Sequence, residues 1–222
     1  MRGAVKLLIG LGVIAGLLAG ADRLAVGVAE DEAADKLVSS GRMSARPNVS
    51  IEGFPFLTQA VSGEFDGVRL TGDGVTVSDG HEHVALRSFE ARLSGVAVSD
   101  SYRSATVRSG SGSGLVSYPD VSKLIAGNGL LGLQYAGPGR VKSSVPGGAI
   151  EGRLHSEGNS IIVDDLRLTG TATLLKGALA DRLKPQKFTL TSLPAGLSLA
   201  SATPRDDGLL LDFTGKDLKL IG

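Results

Sequence analysis

From Pro47 to the C-terminus, apolar side chains recur at every second position, a spacing that commits most of the chain to half-buried β-strands. Val49 and Ile51, Val68 and Leu70, Val75 and Val77, Val84 and Leu86, Val96 and Val98, and Ala105 and Val107 alternate with polar or small residues. A second series runs from Leu133 and Tyr135 through Val141, Ile150, Leu154, Ile161, Val163, Leu166 and Leu168. It continues with Phe188 and Leu190, Leu197 and Leu199, the trio Leu209, Leu211 and Phe213, and finally Leu218 and Leu220. Gly63, Gly67, Gly72, Asp73-Gly74, Asp79-Gly80 and Gly95 stand between the first pairs, where tight hairpins need positive φ. The spacing therefore predicts an antiparallel meander. Ser109 to Gly114, alternating serine and glycine, reads as a loop or edge-strand turn.

The start of the chain follows a different rule. After Arg2 and Lys6, residues Leu7 to Ala21 run fifteen positions without a charge or a strong hydrogen-bonding side chain. As a helix this run is about 22 Å long, and about 27 Å counted from Ala4 with Lys6 snorkelling, against the ~30 Å hydrocarbon core of a bilayer. Two readings stand: a signal peptide cleaved near Ala19-Gly20-Ala21, or an uncleaved signal anchor built on Leu7, Leu8, Ile9, Leu11, Val13, Ile14, Leu17 and Leu18. The anchor is favoured, because Ala21 continues without proline or turn into a second helical segment. An anchor places the protein at the cell membrane with the rest of the chain outside the cytoplasm; cleavage would make it secreted or periplasmic-like.

From Asp22 to Ser40, Ala25, Val28, Ala29, Ala33 and Leu37 recur at helical steps opposite an acidic face. Glu32 precedes Lys36 at i,i+4, and Gly41 stands at the expected C-terminal glycine position. Two short helices interrupt the strands: one opened by Pro119, with Val121, Leu124 and Ile125 on one face, and one near Ala172 to Leu183 that stops before Pro185. The expected organisation is thus a leader at 1–21 and a single domain at 22–222, made of an amphipathic helix at 22–40 and a strand-rich body at 47–222. The fold class is α+β, with a strand-rich antiparallel curved sheet wrapped around a helix.

Composition excludes several functions. The 23 basic and 23 acidic residues cancel, so no broad positive field gathers a nucleic-acid backbone, and nine aromatics without tryptophan offer little to stack on bases. The absence of cysteine removes disulfides, thiolate metal sites and thiol nucleophiles. His81-Glu82-His83 could aim two imidazoles at one metal from a strand, but no third ligand follows at a suitable spacing. His155 stands alone. Gly127 to Gly132 spells GxGxxG with a helix before and a strand after, the reverse of a dinucleotide site. No GxSxG elbow is present; Ser111 and Ser113 have glycines in the wrong phase, and the acids Asp164-Asp165 and Glu30-Asp31-Glu32 are common surface residues. No catalytic residues, metal or cofactor are expected, and the chain reads as a non-enzyme.

The most distinctive stretch is Pro47 to Gln59, PNVSIEGFPFLTQ. Pro55 holds Phe54 extended, so Phe54 and Phe56 straddle a stiff bend. The pair is either an apolar plug closing one end of the core or a lip that meets lipid.

This stretch resembles the LmeA-type family of exported actinobacterial phospholipid-binding proteins. The resemblance extends to the leader, to Asp22-Arg23, to Pro47, Val49, Ile51 and Gly53 to Gln59, to Leu193-Pro194-Ala195-Gly196-Leu197, and to Asp207-Gly208 before a last hairpin. It implies a fold related to tubular lipid-binding modules, a phospholipid ligand, including phosphatidylinositol-type lipids, and a role at the membrane in cell-envelope biogenesis. Phe54, Pro55, Phe56 and Leu57 are the candidate lipid-binding residues. The alternative is a structural envelope protein whose core is filled by its own side chains. Among basic residues that could meet a head group are Arg69, Arg87, Arg92, Arg103 and Arg108 in the first sheet, and Arg140, Lys142, Lys184 and Lys187 later.

Overall fold

The computed structural model describes residues 2–41, 43–78, 83–99, 104–124, 132–175, 177, 183–190, 193 and 195–221. Side chains at 2–15, 77–78, 83–84, 123–124, 174–175 and 220–221 lie outside the description. One helix, α1 (Arg2–Ser39), carries the leader and the amphipathic segment without a break, and Gly41 beyond it has φ 72°. The anchor residues Leu7, Leu8, Ile9, Leu11, Val13 and Ile14 lie outside the described side chains; Leu17 and Leu18 are exposed. Among the described residues no helix is long and apolar enough to cross a membrane.

The α+β expectation holds, with the strands divided between two open antiparallel sheets. The larger has six: β1 (Asn48–Glu52), β2 (Glu64–Ser78), β3 (His83–Ser99), β4 (Ser104–Val116), β10 (Leu197–Arg205) and β11 (Gly208–Ile221), in the order β1-β2-β3-β4-β11-β10. The smaller has five in sequence order: β5 (Leu133–Tyr135), β6 (Arg140–Val145), β7 (Gly148–Glu157), β8 (Ser160–Gly170) and β9 (Gln186–Thr189). The helix α2 (Phe56–Ser62) follows β1, and α3 (Tyr118–Leu124) leads from the larger sheet to the smaller.

Two expectations fail. Ser109–Gly114 is neither loop nor edge: it lies in β4, paired with β3 on one side and β11 on the other. The pairs at Val68 and Val75 also belong to one strand, β2, as those at Val84 and Val96 belong to β3. The intervening glycines admit close neighbours. A Cβ on Gly72 would stand 2.6 Å from the Phe89 ring, and one on Gly67 would stand 3.0 Å from the Glu52 carboxylate. Of the second short helix expected near Ala172–Leu183, Thr171–Leu175 form a 3-10 turn, and 176 and 178–182 lie outside the described residues.

The main core forms where the two sheets meet. Val116, Leu199, Ala202 and Leu209 of the larger sheet face Leu133, Val141, Leu154, Ile161 and Val163 of the smaller, with Tyr118 and Val121 of α3 between them. Hydrogen bonds fix the join: the Tyr118 hydroxyl donates to the Arg205 carbonyl at 2.7 Å, and the Leu199 N–H to Asn159 Oδ1 at 3.1 Å. A second, smaller core of Val96, Val107 and Leu218 lies toward the other end of the larger sheet. The helix α1 lies along edge strand β1 and against α2, burying Val26 and Ala34, and the Ile51 N–H donates to Glu30 Oε1 at 2.7 Å. That carboxylate satisfies a backbone donor an edge strand would otherwise expose. Arg46 reinforces the joint by pairing with Asp31 and Asp35, each at 2.8 Å.

Candidate lipid-binding site

Strand alternation and register sort the larger sheet into rows. Val49, Leu70, Ala91, Gly112, Phe213 and Leu199 stand side by side across all six strands, and the neighbouring row is Ser50, Arg69, Arg92, Ser111, Thr214 and Ser198. The next row is Ile51, Val68, Leu93, Gly110, Gly215 and Leu197. Because successive side chains point to opposite faces, one face is apolar and the other carries hydroxyls and guanidinium groups. The serine-glycine alternation of β4 is this division at its simplest: serines on the polar face, glycines on the apolar one.

At its centre the apolar face carries only small residues, with Ala91 and Gly112 half-buried. The three nearest atoms to a Cβ built on Gly112 are the Glu90 carbonyl oxygen at 3.3 Å and Ala91 Cα and Cβ at 3.8 Å. Gly110 is covered by Leu218 and Leu93, and Gly114 is approached by Leu86. Ala91 and Gly112 thus form a low floor between the strands carrying Leu70 and Phe213, which are about 14 Å apart at three strand spacings. Phe213 packs toward the main core, and Leu93 toward the smaller one. Two concavities among the described residues lie elsewhere, the first of mixed lining that includes Leu86 and Pro119, the second mainly polar. One of about 560 Å³ is lined by Arg87, Tyr118, Asp120, Asp206 and Asp207; the other, of about 490 Å³, lies between α1 and β1 at Glu30, Asp31 and Arg46. Tyr118 beside the first has its pKa pushed up to about 12 by burial, with nearby acids contributing.

The GFPFLTQ stretch forms the end of this face nearest α1. Gly53 has φ 105°, and a Cβ there would collide with the Asp66 carboxylate and the Gln59 amide, so glycine is required. The peptide before Pro55 is cis, and α2 starts at Phe56. The two rings then separate. Phe56 is buried (6% exposed) with its centroid 6.2 Å from that of Phe65, which packs on the smaller core; Phe54 is 60% exposed. Leu57 is 43% exposed, and Pro55 is exposed as well. One ring therefore fills the core as a plug would, and the other stands at the surface.

Asp22 holds this end together. Its carboxylate is buried (2% exposed), and Oδ1 accepts the Leu57 N–H at 2.8 Å. Pro55, which precedes α2, gives no side-chain cap, so a residue of α1 supplies it. Burial would push the Asp22 carboxyl up, but the N–H groups of Leu57 and Phe56 and the Arg23 guanidinium outweigh it and hold its pKa below the usual carboxylate value. Arg23 lies 3.6 Å from Asp22 Oδ2 and 5.2 Å from the centre of the Phe54 ring, within cation–π range. Gln59 closes the loop by accepting the Asp66 N–H at 2.8 Å. The Asp-Arg pair and the GFPFLTQ segment thus build one site.

The LmeA-like phospholipid-binding family model matches residues 20–214. The chain belongs to that family. Comparisons with curated proteins and with solved structures give no match. The family is one of lipid binding, and the apolar face and the Asp22-centred cluster both fall within the matched residues.

The remaining candidates separate. His81 and Glu82 lie outside the described residues, as does the side chain of His83. Of the GxGxxG stretch, 127–131 lie outside the described residues; the flanking elements are α3 before and β5 after. Asp164 pairs with Arg153 at 3.1 Å and Asp165 with Arg167 at 2.9 Å, surface ion pairs on the smaller sheet. Hydrogen bonding to Arg153 holds the Asp164 pKa below its usual value despite partial burial. Arg69 and Arg92 are cross-strand neighbours on the polar face, paired with Glu52 and Glu90, and Arg87 donates to the Asp207 carbonyl. Sequence reasoning gave the strand wall an aliphatic face but missed that β4 contributes its glycines to it. Its signal was the glycine phase of Ser109–Gly114, in step with Val116.

Proposed function

We propose that this chain is an exported phospholipid-binding protein, held at the membrane by its N-terminal helix, that seats acyl chains on the apolar face of the larger sheet in support of cell-envelope biogenesis. The observation that carries the reading is the low floor at Ala91 and Gly112 within a six-strand apolar row. Alkyl chains need no directional partner. Each CH₂ moved from water onto such a surface contributes about 0.8 kcal/mol, so a few covered methylenes outweigh the loss of chain freedom. Phe54, Pro55, Phe56 and Leu57 form the end at which a lipid enters from the bilayer, and Arg23, over the Phe54 ring, offers that end a cation for a phosphate. A phosphatidylinositol-type head group is the proposed ligand class.

The test is lipid retention. Residues 22–222, purified from a membrane-bearing host without detergent, are expected to carry phospholipid at near one per chain in native and organic-extract mass spectrometry; repeatedly lipid-free protein would sink the reading. The second reading, a structural protein with a self-filled core, is favoured by one observation: neither of the two concavities described above is lined by Ala91 or Gly112. Lipid-free protein of full stability would establish it.

A further inference from the structure

Leu57 and Val61 are one turn apart on the outer side of α2, and Val61 is 91% exposed, the most exposed large apolar side chain among the described residues. Leu18 stands one turn before Asp22 on the same side of α1 and is exposed as well. Isolated exposed apolar residues are ordinary, but these flank a buried carboxylate that ties the two helices together, with the exposed Phe54 beside them. The Asp22–Leu57 hydrogen bond sets α2 beside the point where the apolar run of α1 ends at Ala21. We infer that α2 is a membrane-docking element: Leu57 and Val61, with the Phe54 ring, insert at the acyl boundary of the bilayer that receives α1, and Arg23 sits at the level of the lipid phosphates.

The occupant is a phospholipid surface on three grounds. The chain belongs to a phospholipid-binding family; the patch is continuous with the apolar helix; and Arg23, 56% exposed, stands over the Phe54 ring, as a snorkelling cation does at an interface. The inference rests on the anchored reading above. It adds an orientation: the end of the larger sheet near α2 faces the bilayer, and the β10–β11 turn points away, about 30 Å distant along β4.

The chain has no cysteine, so a single introduced one reports position cleanly. Val61→Cys and, as the distal control, Thr203→Cys, both exposed, are labelled with an environment-sensitive fluorophore in the full chain and reconstituted into phosphatidylcholine–phosphatidylglycerol vesicles. The label at 61 is expected to shift to the blue and to be quenched at least about threefold more by doxyl-labelled lipids than the label at 203. If the chain sediments with vesicles but the two labels behave alike, the docking element is overturned and the anchor stands. If the chain does not sediment with vesicles, both fail.

Discussion

Asp22 Oδ1 accepts the backbone N–H of Leu57 at 2.8 Å across 35 residues of sequence, so the cap of a two-turn helix comes from another helix. Asp22→Asn keeps the shape but weakens the acceptor, and it is expected to lower the melting temperature by a few degrees and to raise amide exchange selectively at Phe56 and Leu57. Uniform exchange across α2 and β1 would show that the cap matters little.

The same carboxylate predicts a pH dependence. Its pKa in the folded protein lies below the reference value of 3.8, so its contribution is fully present above about 3.8 and is lost as pH falls through the lowered folded value. In urea unfolding across the acid range, Asp22→Asn should show a shallower loss of stability than the native chain. Asp164, held low by Arg153, keeps its own share of that slope in both proteins. Identical slopes would mean that Asp22 has the same pKa folded and unfolded.

Phe54 and Phe56 should respond unequally. Phe56→Ala empties a buried site beside Phe65 and is expected to cost about 3–5 kcal/mol. Phe54→Ala removes an exposed ring and its Arg23 contact, worth about 1 kcal/mol or less. Denaturant titration of the two variants checks this. In lipid-loading assays Phe54→Asp should lose ligand while melting cooperatively, and unchanged loading would remove the lip from the site.

Gly112→Leu fills the floor of the apolar face. The nearest side-chain atom to its Cβ is 3.8 Å away, and stability should change by no more than about 1 kcal/mol in either direction. Lipid carried through purification should fall severalfold. A variant that unfolds would show the space above Gly112 to be occupied by the protein itself.

What the sequence revealed follows from how local each cause is. Strand alternation is a property of neighbouring residues, so Val49-Ile51 and Leu209-Leu211-Phe213 were legible as strands, and the unbroken run through Ala21 was legible as one helix. Strand length was not. Glycines such as Gly67 and Gly72 look the same whether they turn a hairpin or let Glu52 and Phe89 approach across strands. The Ser109–Gly114 stretch read as a loop or edge-strand turn because its glycines have no side chains to show a hydrophobic phase; its place between β3 and β11 depends on partners 15 to more than 100 residues away. The split between Phe54 and Phe56 was equally hidden, because it is set by Asp22 and Phe65 and not by the bend itself.

The decisive measurement is to photocross-link the full chain in vesicles with a phospholipid carrying a diazirine near the end of one acyl chain, and to map the adducts by peptide mass spectrometry. Acyl chains seated on the larger sheet predict adducts on β3, β4 and β11 around Ala91, Gly112 and Phe213, reduced severalfold by Gly112→Leu. Adducts confined to residues 7–21 and α2, with none on those strands, would contradict the seat and leave a protein that touches lipid only at its membrane-facing end.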